Sequence, residues 1–126
     1  MKKIISTKNA PQAIGPYSQA VVVDGILYSS GQIGLKPDGE LIGDDVSSQT
    51  KQVLENLKAV LAEAGATLND VIKTTIFLDN MDDFGVVNKI YEEYFGSNRP
   101  ARSTVAVKTL PKNVKIEIDC IAKVPN

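Results

Sequence analysis

The sequence has no histidine and only one cysteine among 126 residues. Each absence removes a class of chemistry. Without histidine there is no Ser-His or Cys-His nucleophile pair and no imidazole-ligated zinc or iron. One cysteine permits neither an internal disulfide nor a Cys-x-x-Cys motif. That cysteine, Cys120, falls on the apolar side of a strand-like segment, where a thiol is ordinarily a small inert core residue. There is no phosphate loop ending in Gly-Lys-Ser/Thr and no Gly-x-Gly-x-x-Gly fingerprint, so nucleotide chemistry has no support. No apolar run approaches the ~20 residues that cross a bilayer. After Lys2 and Lys3 only Ile4 and Ile5 precede polar residues, too short a stretch for a secretory leader. The expected compartment is the cytoplasm. Fourteen basic residues against fifteen acidic ones leave a net charge of −1, which offers no field for nucleic acid or an anionic membrane. Neither a cofactor nor a metal is expected.

What is present reads as one domain over residues 1–126. Hydrophobic residues make up 43% and charged residues 23%, ordinary for a soluble globular chain and against disorder. Residues near Ile4 to Thr7 read as a first strand, and the loop Asn9 to Pro16 holds two prolines and a glycine that rule out a helix. Ala20 to Val23 and Ile26 to Ser30 flank Asp24-Gly25, a strong hairpin signal. Pro37-Asp38-Gly39 marks a turn, with Glu40 to Ile42 as a brief edge segment. From Val46 the apolar positions 46, 53, 54, 57, 60, 61 and 64 have helical spacing, with Asp44 and Asp45 at the start and Gly65 as the stop. Val71 to Leu78 is β-branched and reads as a strand. A second helix runs from about Met81 to Gly96, with Phe84, Val87, Tyr91, Tyr94 and Phe95 on one side and Ile90 at the margin. Arg102 to Val107 and Val114 to Val124 supply two final strands. This order predicts an α+β fold, a mixed sheet with both helices on one face. The other face, expected to carry Phe77, Ala106 and Ile121 among polar groups, suggests self-association.

Two charges stand out because they interrupt strand-like sequence. Arg102 lies in Arg99-Pro100-Ala101-Arg102-Ser103-Thr104, and Glu117 in Val114-Lys115-Ile116-Glu117-Ile118. Alternation groups Arg102 with Thr104, and turns Glu117 away from the apolar set Ile116, Ile118, Cys120 and Ala122. A planar guanidinium with a carboxylate nearby can bind a small carboxylate and manage a proton beside it. If the last two strands form a direct hairpin, Glu117 lies opposite Arg102 or Thr104. If another strand lies between them, the meeting could instead occur across a subunit boundary. The plain alternative to a site is a structural salt bridge. Gly31, at a strand end, allows a ligand to reach its N–H or marks an ordinary bulge. Tyr17 could wall a pocket or plug the space under a loop. Asn88, beside the stripe of the second helix, reads alone as a surface residue. Lys73 in a strand is a solvated lysine far more readily than a Schiff-base amine.

Several segments together resemble the RidA (YjgF) family of imine and enamine deaminases. They are Asn9-Ala10-Pro11 with Ile14-Gly15-Pro16-Tyr17-Ser18, then Ser30-Gly31-Gln32-Ile33, Val71 to Thr75, Phe84 with Val87-Asn88, Pro100-Ala101-Arg102-Ser103, and Leu110 to Ile118. The resemblance implies a chorismate-mutase-like α+β fold, a homotrimer with a cleft at each subunit interface, and no cofactor. It implies hydrolysis of 2-imino or 2-enamino acids, such as 2-aminoacrylate and 2-aminocrotonate and their imine tautomers, to 2-keto acids and ammonia. By motif position Arg102 would take the substrate carboxylate and Glu117 would hold or activate water, while Tyr17, Gly31 and Asn88 line the cleft. Thr104 stands where this subgroup often has cysteine, which rules out a thiol there and leaves the backbone N–H for the ligand. A binding protein for 2-keto acids that regulates without turnover is the alternative, and RNA cleavage is the weaker third reading.

Overall fold

Asp24 and Gly25 adopt φ of 51° and 75° in the computed structural model, which describes residues 1–126. Both angles lie in the left-handed region that a tight two-residue hairpin turn requires. The turn joins β2 (Ala20–Val23) to β3 (Ile26–Ser29), and β1 (Lys3–Ile5) adds antiparallel to β2. Helix α1 (Val46–Glu63) starts where the Asp45 carboxylate accepts the Ser48 N–H at 2.8 Å and stops before Gly65, whose φ is 81°. Its buried stripe is Val53, Leu54, Leu57, Val60 and Leu61. Strand β4 (Val71–Leu78) follows, then a 3₁₀ turn at Met81–Asp83 that runs into α2 (Phe84–Phe95). Ile90 is buried with Val87 and Tyr91, so it belongs to the core and not to the helix margin, being one turn beyond Val87. Strands β5 (Ala101–Ala106) and β6 (Ile116–Lys123) complete the chain. The segment Glu40 to Ile42 forms no strand; Leu41 makes a single bridge to Leu35.

The six strands form one sheet in the order β1-β2-β3-β6-β4-β5. All neighbours are antiparallel except β4 and β5, which are parallel because α2 carries the chain back to the starting end. Thus β4 lies between the two final strands. The direct hairpin of β5 with β6 does not form, since β5 takes the free side of β4 while β6 fills the gap between β3 and β4. Both helices cover one face, where a single core of 21 buried residues includes Leu27, Ile76, Leu78, Ile116 and Ile118.

The uncovered face is mixed. Register places Ile4, Val21, Tyr28 and Ile121 in one row across it, and Glu117, Phe77 and Val105 in another. Ile4, Tyr28 and Val105 are exposed. Ala106 is not on this face, because it pairs with Leu78, which points into the helix-side core. Phe77 and Ile121 lie there as expected.

Candidate active site

Glu117 sits between Ile116 and Ile118, both fully buried on the helix side, and therefore emerges on the open face. Its side chain lies across Gly31. A Cβ built on Gly31 would come within 2.6 Å of the Glu117 Cδ and 2.9 Å of its Cγ, and closer still to Oε2. Glycine at this strand end is thus required by the carboxylate that crosses it. Nothing in the protein accepts the Gly31 N–H. Tyr17 and Gly31 line the same cavity as Glu117, about 330 Å³, walled by Pro11, Ile14 and Leu35. Burial holds the Glu117 carboxyl above its ordinary pKa, and the like charge of Asp119, two residues along the same face, adds to the effect. The Asp119 pKa is also raised by burial, against a Thr75 hydrogen bond and the Lys73 charge that lower it.

Arg102 pairs in register with buried Thr74 and so lies on the opposite face of the sheet from Glu117. This corrects the expectation that both charges share the polar side of neighbouring strands. On the helix side Arg102 meets α2. Its Nη1 donates to Asn88 Oδ1 at 2.8 Å, and the guanidinium carbon stands 5.4 Å from the Phe84 ring centre and 5.0 Å from that of Tyr91. Such contacts orient a guanidinium and leave most of its donors free. Asn88 and Arg102 border a second cavity of about 370 Å³, which runs along α2 past Tyr91 and Phe95. Thr104 shares the face of Arg102. The Val107 N–H donates to Leu78 O at 2.8 Å, so by alternation the N–H groups of Arg102 and Thr104 point to the free edge of β5.

Within one protomer the predicted residues therefore form two groups, Tyr17, Gly31 and Glu117 on one side and Arg102, Asn88 and Thr104 on the other. The only ion pairs are Lys58 with Glu55 and Arg99 with Glu92. Arg102 and Glu117 make no salt bridge in the protomer. Lys73 donates to Ser103 Oγ at 3.0 Å on the open face, an ordinary paired lysine. Cys120 is buried, and burial pushes its thiol up to about 11, out of reach as a nucleophile at neutral pH. The aromatic seat of Arg102 was not anticipated. Its signal was the spacing of Phe84, Asn88 and Tyr91, four and three residues apart, which places all three on one stripe of α2.

A family model described as endoribonuclease L-PSP matches residues 7–124. The chain belongs to the RidA (YjgF) family. RidA relatives align with nearly its whole length. The Lactococcus lactis protein named putative regulator AldR is 54% identical over 97% of this chain and 98% of its own. The 2-iminobutanoate/2-iminopropanoate deaminase of Mus musculus is 50% identical over 97% of this chain and 91% of its own. The solved structure of E. coli TdcF with bound serine superposes with a TM-score of 0.92 at 42% identity, covering 98% of this chain and 99% of that one. The RidA fold is thus shared in full, while the names given to relatives divide between an enzyme of imino acids, a regulator and an endoribonuclease. No helix of the molecule is long and apolar enough to cross a membrane.

Proposed function

We propose that this protein hydrolyses reactive 2-imino and 2-enamino acids to 2-keto acids and ammonia, as a homotrimer whose sites lie between subunits, with the cytoplasm as its expected compartment. The observation that carries this is the division of the site. Arg102 and Glu117, neither paired with an opposite charge, leave opposite faces of one sheet. A second copy can supply what each group lacks. The apolar residues of the open face, Tyr28, Val105 and Ile4 among them, favour the burial that such an assembly needs.

In this reading Arg102 takes the substrate carboxylate bidentately, with the N–H groups of Gly31 and Thr104 as further donors. An iminium carbon is already electrophilic, so the protein's task is to orient the substrate and move protons. Water adds to the C=N carbon and gives a proton to Glu117. The nitrogen of the resulting aminol takes that proton back; as the C–N bond breaks, the hydroxyl gives its proton to Glu117 and becomes the carbonyl, and the departing ammonia carries that proton away as ammonium, leaving the 2-keto acid. The raised pKa of Glu117 suits a group that must accept and return a proton.

A second reading is favoured by the AldR relative: the same cleft binds a 2-keto acid without turnover. RNA cleavage has little to rest on, given the net charge of −1 and the lack of histidine. The test supplies 2-aminoacrylate from a PLP-dependent serine dehydratase and follows pyruvate. Addition of this protein should accelerate pyruvate release. Tight 2-keto-acid binding without acceleration would favour the regulatory reading. Arg102→Ala and Glu117→Gln subunits, each about 100-fold or more impaired alone at subsaturating substrate, should regain about a quarter of wild-type activity under the same condition when refolded together at equal ratio, because each mixed trimer contains one intact interface site. No regain would sink the intersubunit site.

A further inference from the structure

The cavity beside Glu117 owes much of its wall to the irregular segment between β1 and β2, which contributes Pro11, Ile14 and Tyr17. Ile14 and Tyr17 are 85% and 54% exposed, so packing does little to hold them. Gln19 is 3% exposed and reaches back into this segment. Its Oε1 accepts the Thr7 N–H at 2.7 Å, and its Nε2 donates to Thr7 O at 3.1 Å and Pro11 O at 2.8 Å. Its own carbonyl accepts the N–H of Ser30 at 2.9 Å, and the Ser30 hydroxyl donates to Ser18 O. One buried amide thus ties both ends of the loop together, next to Gly31.

We propose that Gln19 is a positioning residue, which acts through the loop to hold Tyr17 and Ile14 against the substrate. Gln19 borders the cavity, but both its amide atoms are engaged with backbone of the loop, so its effect on a ligand is assigned to the loop it holds. Only a side chain with both an acceptor and two donors fits. A carboxylate at this position would direct lone pairs at two carbonyl oxygens, and an apolar side chain would strand buried backbone groups. The kinetic part of the proposal rests on the deaminase reading, whereas the state of the loop can be followed without substrate.

Gln19→Ala and Gln19→Glu, with Val60→Ala as a core control of general stability loss, should be compared by hydrogen exchange and by steady-state kinetics. The two Gln19 variants should speed exchange across residues 8–18 about tenfold relative to α1, and raise KM about tenfold with kcat within about twofold, because a wall that serves bound substrate and transition state alike has been loosened. Val60→Ala should leave KM and the loop's relative exchange unchanged. Tyr17→Ala should raise KM in the wild type and add little in the Gln19→Ala background. If the Gln19 variants do not fold, Ser30→Ala, which removes only the tie to Ser18, should move both readouts the same way by less. The proposal is overturned by loop exchange no faster than in Val60→Ala, or by an unchanged KM despite a loosened loop. A wild type that binds 2-oxobutanoate without deaminating would refute the proposed activity instead. Gln19 would then stand or fall on whether its variants weaken that binding.

Discussion

The Arg102 and Glu117 ends of the proposed site are built on opposite principles. Arg102 is exposed, and its orientation is fixed by the rings of Phe84 and Tyr91 and by Asn88. Glu117 is half-buried, lies over a glycine and beside Asp119, and its carboxylate is made more basic by loss of solvent. A group that binds an anion gains from a permanent charge held at low conformational cost. A group that exchanges protons gains from an environment that brings its pKa closer to neutral. That both kinds of environment occur on one small sheet follows from its two faces, one covered by helices and one not.

The sharpest way to break this comparison is to neutralise each end. Glu117→Gln should lower kcat about 10²- to 10⁴-fold, the range for loss of a general base. Arg102→Ala should cost about 100-fold in kcat/KM, mainly through KM, and Arg102→Lys should recover only part of it because a point charge lacks the planar fork. Glu117→Gln carries a second expectation of the opposite sign. The native Glu117 pKa is raised, so its stabilising contribution is present below the unfolded value and lost as pH rises through the native one. The variant should accordingly melt higher than wild type at pH 7, measured by calorimetry.

Gly31→Ala should come next in size. The added methyl collides with the flexible Glu117 side chain rather than with backbone, so the protein should fold while the carboxylate swings away. About a tenfold loss of kcat with a wild-type circular dichroism spectrum is expected. Smaller again is Asp119→Asn. In the proposed mechanism activity requires ionised Glu117, so the acid limb of the rate profile should lie above the ordinary carboxylate pKa of 4.5. Removing the neighbouring charge should move that limb to lower pH, yet burial, the larger cause, should keep it above 4.5. A limb that does not move would show that Asp119 has no part in tuning Glu117. The smallest effect belongs to Thr104→Cys, expected to change kcat/KM by less than about threefold because the backbone N–H at the edge is unaltered. A large gain would mean that a thiol at this position takes part in the chemistry.

Much of the fold was legible because local signals agreed with the tertiary result. Asp24-Gly25 fixed a hairpin, the spacing from Val53 to Leu61 fixed α1, and alternation from Ile116 to Ala122 fixed which side of β6 is core. Cys120 fell in the core by the same alternation. The six candidate residues could be named from motifs, but their arrangement could not. The segment Arg102-Ser103-Thr104-Val105-Ala106 has no clean alternation, because an edge strand is exposed along most of its length. Its parity toward the core therefore left no mark in the sequence. Nor could the short connection after Val107 reveal that β5 joins β4 on its outer side.

By itself, the sequence determined most of the elements, the core stripes of α1 and β6, the lack of any histidine chemistry, and the identity of the charged residues. Only the tertiary structure decided that β4 separates β5 from β6 and that Arg102 and Glu117 face away from each other. The physical reason is that periodicity is a local property of backbone geometry, whereas strand order depends on which non-local pairing buries the most apolar surface once α1 and α2 are in place.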